Sequence, residues 1–426
     1  MTAEPPAEPA DAAATGDRPR GISRRGLFLG TAGGVVGGAV LGGGGGLLAG
    51  RAIAQDDSDS ALQYPFYTGL HQAGIETPPQ RYSMFMAFDM AAGTTATDLQ
   101  VLLARWSASI AQLMAGQTIG QVEPARTDAV AGDTGEALDL GPSGLTVTLG
   151  LGPDLFDARF GLAAKRPPKL RALPTLPSDQ LAAATTGGEL GLQACADDPQ
   201  VAYHAIRDLA RMARGTATTR WTVMGFGRAS AGPHQKTPRN LMGFKDGTRN
   251  ISTPEEYRKF VWVDDGPAWM RGGSYQVVRK IQMNIEIWDA DAVHDQQAVF
   301  GRTKNEGAPL SGRVEHDTPD FGAEKGGSPV IPPTSHIALA AHENNGGVKI
   351  LRRGYNYTDG LDQFAQLDAG LLFIAYMNDP EHFVRLQTKL GSVDRLNEYI
   401  SHIGSALFAV PPAPKRGGYI GERLFS

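Results

Sequence analysis

The sequence predicts an α+β protein made of two halves of similar rhythm. Three observations carry this. Each half reads as β-α-β…α-β, from runs whose apolar residues switch between a period of two and a period of 3.6. Composition is that of a globular chain, with 41% hydrophobic and 20% charged residues over 426 positions. The second half also holds a stretch of about seventy residues, 301–370, well beyond ordinary connection lengths.

The first half is placed at residues 55–230. An extended, Pro-containing lead-in runs from Gln55 to Gln80, and Ser83–Asp89 reads as a buried strand. Ala96–Met114 has helical spacing through Leu99, Leu102, Leu103, Trp106 and Ile110. Leu145–Gly150 is a strand. Asp198–Arg214 is a helix started by Asp197-Asp198-Pro199, and Arg220–Gly225 is a closing strand. In the second half, 231–426, Ser274–Trp288 is a long strand candidate, followed by a helix over Ala290–Phe300. Leu371–Met377 is a central strand, followed by helices near Pro380–Leu390 and Val393–Ile403 and a last strand, Ser405–Val410. This is the order of a ferredoxin-like unit, met twice. The halves share rhythm rather than sequence identity.

Residues 1–54 stand apart from the fold. Ser23-Arg24-Arg25-Gly26-Leu27-Phe28-Leu29 is a twin-arginine signature, and Ala52-Ile53-Ala54 offers a small-x-small cleavage site. The uncharged run between them, Leu27–Gly50, is long enough to span a bilayer, but 11 of its 24 residues are Gly. That favours an export signal, cleaved or retained as an anchor. The expected location is periplasmic, extracytoplasmic or secreted, with the twin-arginine translocase as partner. This route carries folded proteins, often because a cofactor is inserted first.

Charge and cysteine content exclude several classes. A net charge of −5 leaves no basic excess to neutralise phosphates, so no nucleic-acid partner is expected. The single cysteine, Cys195, excludes an intramolecular disulfide and any Cys-ligated zinc or iron–sulfur site. The chemistry must fall to His, carboxylates, Arg or a bound cofactor.

Two motifs bear on that chemistry. Gly243-Phe244-Lys245-Asp246-Gly247-Thr248 fits a plain turn, and equally a loop that lets backbone approach a flat ligand. His336 lies in the apolar run Ser335–Ala340, where a buried imidazole needs a hydrogen-bond partner or a metal. Arg352 and Arg353 follow in Ile350-Leu351-Arg352-Arg353-Gly354-Tyr355. A buried element tolerates such a pair only with an anion or acid nearby.

GFKDGT resembles the Gly-x-x-Asp-Gly signature of the dye-decolorising (DyP-type) haem peroxidases. SHIALA, ENNGGVKILRRGYNYTDG, LDAGLLFIAYMNDP and LNEYISHIGSALFAVPP resemble that family's later blocks in the same order. The resemblance covers roughly residues 60–424 and is strongest to the exported branch that includes deferrochelatases of iron-uptake systems. It implies a duplicated fold like that of the dimeric α/β barrels. It also implies one haem b per chain, held mainly by the C-terminal half, and hydrogen peroxide reduced at the expense of an organic or protein donor. The alternative it offers is removal of iron from haem with the porphyrin left intact, with iron-uptake proteins as partners.

Position by position, His336 matches the haem-iron ligand. Asp246 matches the acid above the haem, and Arg352, rather than Arg353, the arginine beside it. Glu398 matches the acidic residue that holds the ligand histidine. Gly247, Thr248 and Arg249 match positions along the haem, as do Ala341, His342 and Glu343. Where the family often has Arg two residues after the ligand histidine, this chain has Ala338, and His342 is the candidate to replace that contact. The roles are chemically consistent. A carboxylate can shuttle a proton between the two peroxide oxygens. A guanidinium, always protonated, can stabilise charge as the O–O bond breaks. A carboxylate shuttle implies acidic working conditions.

Overall fold

The computed structural model describes residues 61–228 and 235–426. The twin-arginine segment lies outside them, and among the described residues no helix is long and apolar enough to cross a membrane. In the first half the chain forms β1 (Tyr82–Met90), α1 (Ala96–Met114), β2 (Thr146–Leu151), β3 (Leu190–Ala196), α2 (Pro199–Met212) and β4 (Ala217–Gly225). The second half has α3 (Pro254–Phe260), β5 (Ser274–Met283), α4 (Ile285–Ala290), α5 (Val293–Phe300), and a small hairpin of β6 (Glu324–Lys325) and β7 (Ser328–Pro329). It continues through α6 (His336–Ala340), β8 (Leu351–Arg352), β9 (Tyr355–Leu361), β10 (Leu367–Met377), α7 (Glu381–Val393) and β11 (Ile400–Val410).

The strand order is β4-β1-β3-β2 in one half and β11-β5-β10 followed by β8 and β9 in the other, antiparallel throughout. If β8 and β9 count as one interrupted strand, both halves have the 4-1-3-2 order of a ferredoxin-like sheet. The two sheets join where Ala409 of β11 pairs with Leu151 of β2. They meet again beyond β4, where Phe226 and Asn356 exchange backbone hydrogen bonds of 2.8 and 2.9 Å. The eight strand positions thereby close into a barrel.

Alternation along β1 shows how the layers are built. Met84, Met86 and Phe88 face α1 and α2 in the larger apolar cluster, while Phe85 and Ala87 face the barrel interior with Val278, Ile374 and Phe408. Helix α1 starts with a capping box between Thr95 and Asp98 and buries Leu99, Leu102, Leu103, Trp106 and Ile110. Trp106 donates its indole N–H to the Leu209 carbonyl at 2.8 Å, which ties α1 to α2. In the first half, then, helices seal the outer face of the sheet with an apolar core. In the second half the corresponding face, carrying Ile281, Met283, Leu371 and Phe373, lines a cavity instead.

Several elements differ from the sequence reading, among them the following three. The Ser274–Trp288 strand ends at Met283, because Asn284 bonds the Tyr399 carbonyl and the chain turns into α4. Trp288 then packs edge-on against Phe244, Phe300 and Tyr399. The helix expected over Val393–Ile403 is absent: α7 ends at Val393, and a single 3-10 turn, Arg395–Glu398, leads into β11. The Asp394 side chain accepts from the Leu396 amide at 2.9 Å, a local bond that competes with continuing the helix. Strand β3 carries no alternating pattern to announce it, because every one of its residues is buried.

Candidate functional site

Asp246, Gly247, Thr248, Arg249, His336, Ala341, His342 and Arg352 all line the cavity on the outer face of β5 and β10. The elements that bring them together span more than a hundred residues of sequence.

His336 is the first residue of α6. The short helix packs tightly because Gly301, at φ 78°, closes α5: a Cβ there would lie 2.7 Å from Ile337 and 2.8 Å from Ser335. The Nδ1 of His336 is 2.7 Å from the Oδ2 of Asp394, a residue only 3% exposed in its side chain. Burial works against a charged imidazole here, but the Asp394 carboxylate outweighs it and raises the proton affinity of the ring. With Nδ1 so engaged, Nε2 is the nitrogen left to ligate a metal. The carboxylate expected in this position was Glu398. The structure corrects this: Glu398 ends the 3-10 turn and is exposed, whereas Asp394 caps the start of that turn and is buried beside the ring.

Across the cavity, Arg352 donates through Nη2 to the Thr248 carbonyl at 3.0 Å and through Nη1 to Asp246 Oδ1 at 3.3 Å. Its backbone is held on both sides by Asn250, whose Oδ1 accepts from the Arg352 amide at 3.0 Å and whose Nδ2 donates to its carbonyl at 2.8 Å. The buried guanidinium of Arg228 donates to the carbonyls of both Asp246 and Arg352, each at 3.0 Å. Gly247 has φ 139°, a conformation that L side chains rarely adopt, so the loop that carries Asp246 requires glycine at that point. Arg353 points the other way. Its guanidinium enters the barrel wall and donates to the carbonyls of Thr77 and Pro78 and to Gln80 Oε1. Successive strand residues face opposite sides, so only one of the two arginines can reach the cavity.

At the rim, Arg249 pairs with Glu343, which lies just outside the lining and is also 3.1 Å from His342. Burial, the first cause, lowers the His342 pKa, with the Lys349 and Arg249 cations acting in the same direction. Ala338 is buried and does not line the cavity; His342 does. Arg302 is a further cation in the wall, brought down to about 10 by burial and by Arg249 and Arg352.

Sequence reasoning passed over Asp394, Asn250, Arg228 and Arg302. Asn250 stood in the same block as Asp246, but nothing in sequence tells that its amide will grip a residue 102 positions away. A separate buried group, Asp133, His204 and Asp208, has metal-ligand character. The neighbouring Arg207, on Glu136, and Arg211, on Asp208, balance its charge from within.

Comparison with known proteins agrees with this architecture. Residues 72–227 match the family "Dyp-type peroxidase, N-terminal" and residues 237–415 match "Dyp-type peroxidase, C-terminal". The chain is 40% identical over 373 residues to a deferrochelatase of Escherichia coli K12, covering 84% of this chain and 86% of the relative. A deferrochelatase of Yersinia pseudotuberculosis is 38% identical over 418 residues, covering 94% of each. Among solved structures, ferric DtpA from Streptomyces lividans superposes with a TM-score of 0.81 at 40% identity, over 87% of this chain and 99% of that one. A DyP-type peroxidase from Cellulomonas bogoriensis gives 0.78 at 37% identity, over 86% and 99%. Two family domains in order along the chain, relatives near 40% identity over most of its length and a shared fold together establish that this chain belongs to the DyP-type peroxidase family.

Proposed function

We propose that the chain is a haem-dependent peroxidase that reduces hydrogen peroxide and oxidises an organic or protein donor. The observation that carries this is the facing of His336, backed by Asp394, and the Asp246–Arg352 pair across one cavity. The residues fit haem b, one per chain. Ile281, Met283, Leu371 and Phe373 give apolar walls for a flat macrocycle, His336 offers Nε2, and Arg249 and His342 stand where carboxylates would be welcome.

Haem supplies the redox centre; the chain's residues supply the rest. The Asp394 carboxylate fixes the His336 tautomer and raises its basicity. Asp246 takes a proton from one peroxide oxygen and returns it to the other. Arg352 stays protonated and, held by Thr248 and Asn250, offers fixed positive charge to the leaving oxygen at no cost in reorganisation. The test is the absorption spectrum of the purified protein before and after peroxide, with donor oxidation followed in parallel. A haem spectrum that peroxide changes and a donor reverses is expected. A purified protein without haem, or one indifferent to peroxide, would overturn the reading.

A second reading, release of iron from haem with the porphyrin intact, is favoured by relatives named deferrochelatase at about 40% identity. Haem incubated with the protein and a reductant would then yield metal-free porphyrin. Intact haem at the end of that incubation eliminates this reading. We also propose export through the twin-arginine translocase to a periplasmic or other extracytoplasmic location, supported by Arg24-Arg25 and Ala52-Ile53-Ala54. Changing both arginines to lysine should hold folded protein in the cytoplasm, and mature protein still appearing outside would overturn the route.

A further inference from the structure

The long stretch between α5 and α6 contributes a buried carboxylate, Glu315, that touches the Asp246 loop at several points. Glu315 Oε1 accepts from Thr237 Oγ1 at 2.6 Å and from Thr248 Oγ1 at 2.8 Å, and Oε2 accepts from Lys245 Nζ at 2.7 Å. Its own backbone is fixed in turn, because Arg302 donates to the Glu315 carbonyl at 3.0 Å and to Gly307 at 2.6 Å. Thr248 is the residue whose carbonyl orients Arg352, and Lys245 adjoins Asp246 in the chain. Both therefore connect Glu315 to the reacting pair at one remove.

We infer that Glu315 is a positioning residue for peroxide chemistry: it clamps the 243–248 loop so that Asp246 and Arg352 meet, and holds the Lys245 ammonium as its own partner. The inference rests on the peroxidase reading above. Burial opposes the charge on Glu315, but Lys245, Thr237 and Thr248 outweigh it and bring the carboxyl down to about 2. The clamp is therefore ionised over the whole working range. Charged groups around Asp246 are Arg352 on β8, Arg228 beyond β4, Lys245 and Arg249 on its own segment, Arg302 in the wall and His336 opposite. Of these, Lys245 is the one whose charge Glu315 neutralises directly.

The test compares Glu315→Gln, Glu315→Asp and the double variant Glu315→Gln/Lys245→Met with Asp246→Asn. In Glu315→Gln the reaction with peroxide should slow by up to about 100-fold, the scale of a small misplacement of reacting groups. The acidic limb of its pH profile should move, since the ammonium next to Asp246 in the chain has lost its partner. The double variant should return the limb towards wild type without returning the rate, and Glu315→Asp should restore the limb and part of the rate. Hydrogen exchange of the 244–248 amides should quicken in Glu315→Gln, both with haem and without it. A wild-type rate, limb and amide exchange in Glu315→Gln would overturn the positioning role. If instead Asp246→Asn itself reacts like wild type, the peroxidase assignment of Asp246 fails, and the amide exchange still decides whether Glu315 clamps the loop.

Discussion

The Nδ1 of His336 and the Oδ2 of Asp394 lie 2.7 Å apart although 58 residues separate them in sequence. This contact assigns the supporting carboxylate to Asp394. Asp394→Asn should lower haem affinity or peroxide activity by about 10- to 100-fold, the usual effect of losing a partner behind a metal ligand. It should also raise the reduction potential of the haem, because the imidazole becomes a poorer donor. Glu398→Gln should leave both unchanged. Spectroelectrochemical titration of the two variants decides between them, and a shift in Glu398→Gln alone would reverse the assignment.

Asp246 and Arg352 should divide the work in a way that a pH profile can separate. On the role proposed above, Asp246→Asn takes away the proton shuttle, so the acidic limb of the peroxide reaction should disappear along with about 100- to 10,000-fold of rate. Arg352→Leu should lose about 100- to 1000-fold but keep the limb, because the carboxylate that shuttles the proton is still present. Stopped-flow measurement of the peroxide-induced spectral change from about pH 3 to 8 covers the carboxylate range. An Asp246→Asn variant as fast as wild type beside an inert Arg352→Leu would assign the proton transfer to water.

Arg353 should behave quite differently from its neighbour. It is 2% exposed, and its loss strands the half-buried Thr77 carbonyl and the buried Gln80 amide oxygen. Arg353→Met should cost about 2–4 kcal/mol of stability, the scale of a few unpaired buried polar groups. Molecules that do load haem should react with peroxide at the wild-type rate. Urea unfolding paired with activity per haem checks this, and a fall in rate per haem at unchanged stability would contradict it.

Glu256 gives a stability signal that depends on pH. It completes the capping box of α3 with Thr253 and accepts from Lys349. Burial opposes its charge, but Lys349 and the Ser252 and Thr253 amides outweigh burial and bring it down to about 2. A carboxyl lowered on folding stabilises above its unfolded pKa, and that stability fades as pH falls towards the folded value. Glu256→Gln keeps a capping oxygen but loses the charge. It should therefore cost about 1 kcal/mol near pH 7, with the difference from wild type shrinking steadily below about pH 4.5. A difference that is constant from pH 7 to 3 would show that charge is not the cause.

Local patterning alone determined much of this protein. The spacing of Leu99, Leu102, Trp106 and Ile110 dictates α1 to the residue, and the Asp198-Pro199 start fixes α2, because one amphipathic face and one cap suffice to define a helix. The twice-repeated element order foreshadows the paired 4-1-3-2 sheets, and the motif blocks brought Asp246, His336 and Arg352 forward as candidates. Contacts between distant segments lay beyond its reach. The closure of the barrel at Phe226 and Asn356 rests on two backbone hydrogen bonds between segments 130 residues apart, which no local pattern announces. Asp394 rather than Glu398 holds His336 because a turn, not a helix, follows α7, and that turn buries one carboxylate and exposes the other. Arg352 rather than Arg353 faces the cavity because the pleat of a strand sends neighbours to opposite sides, and only the assembled barrel decides which side is the cavity.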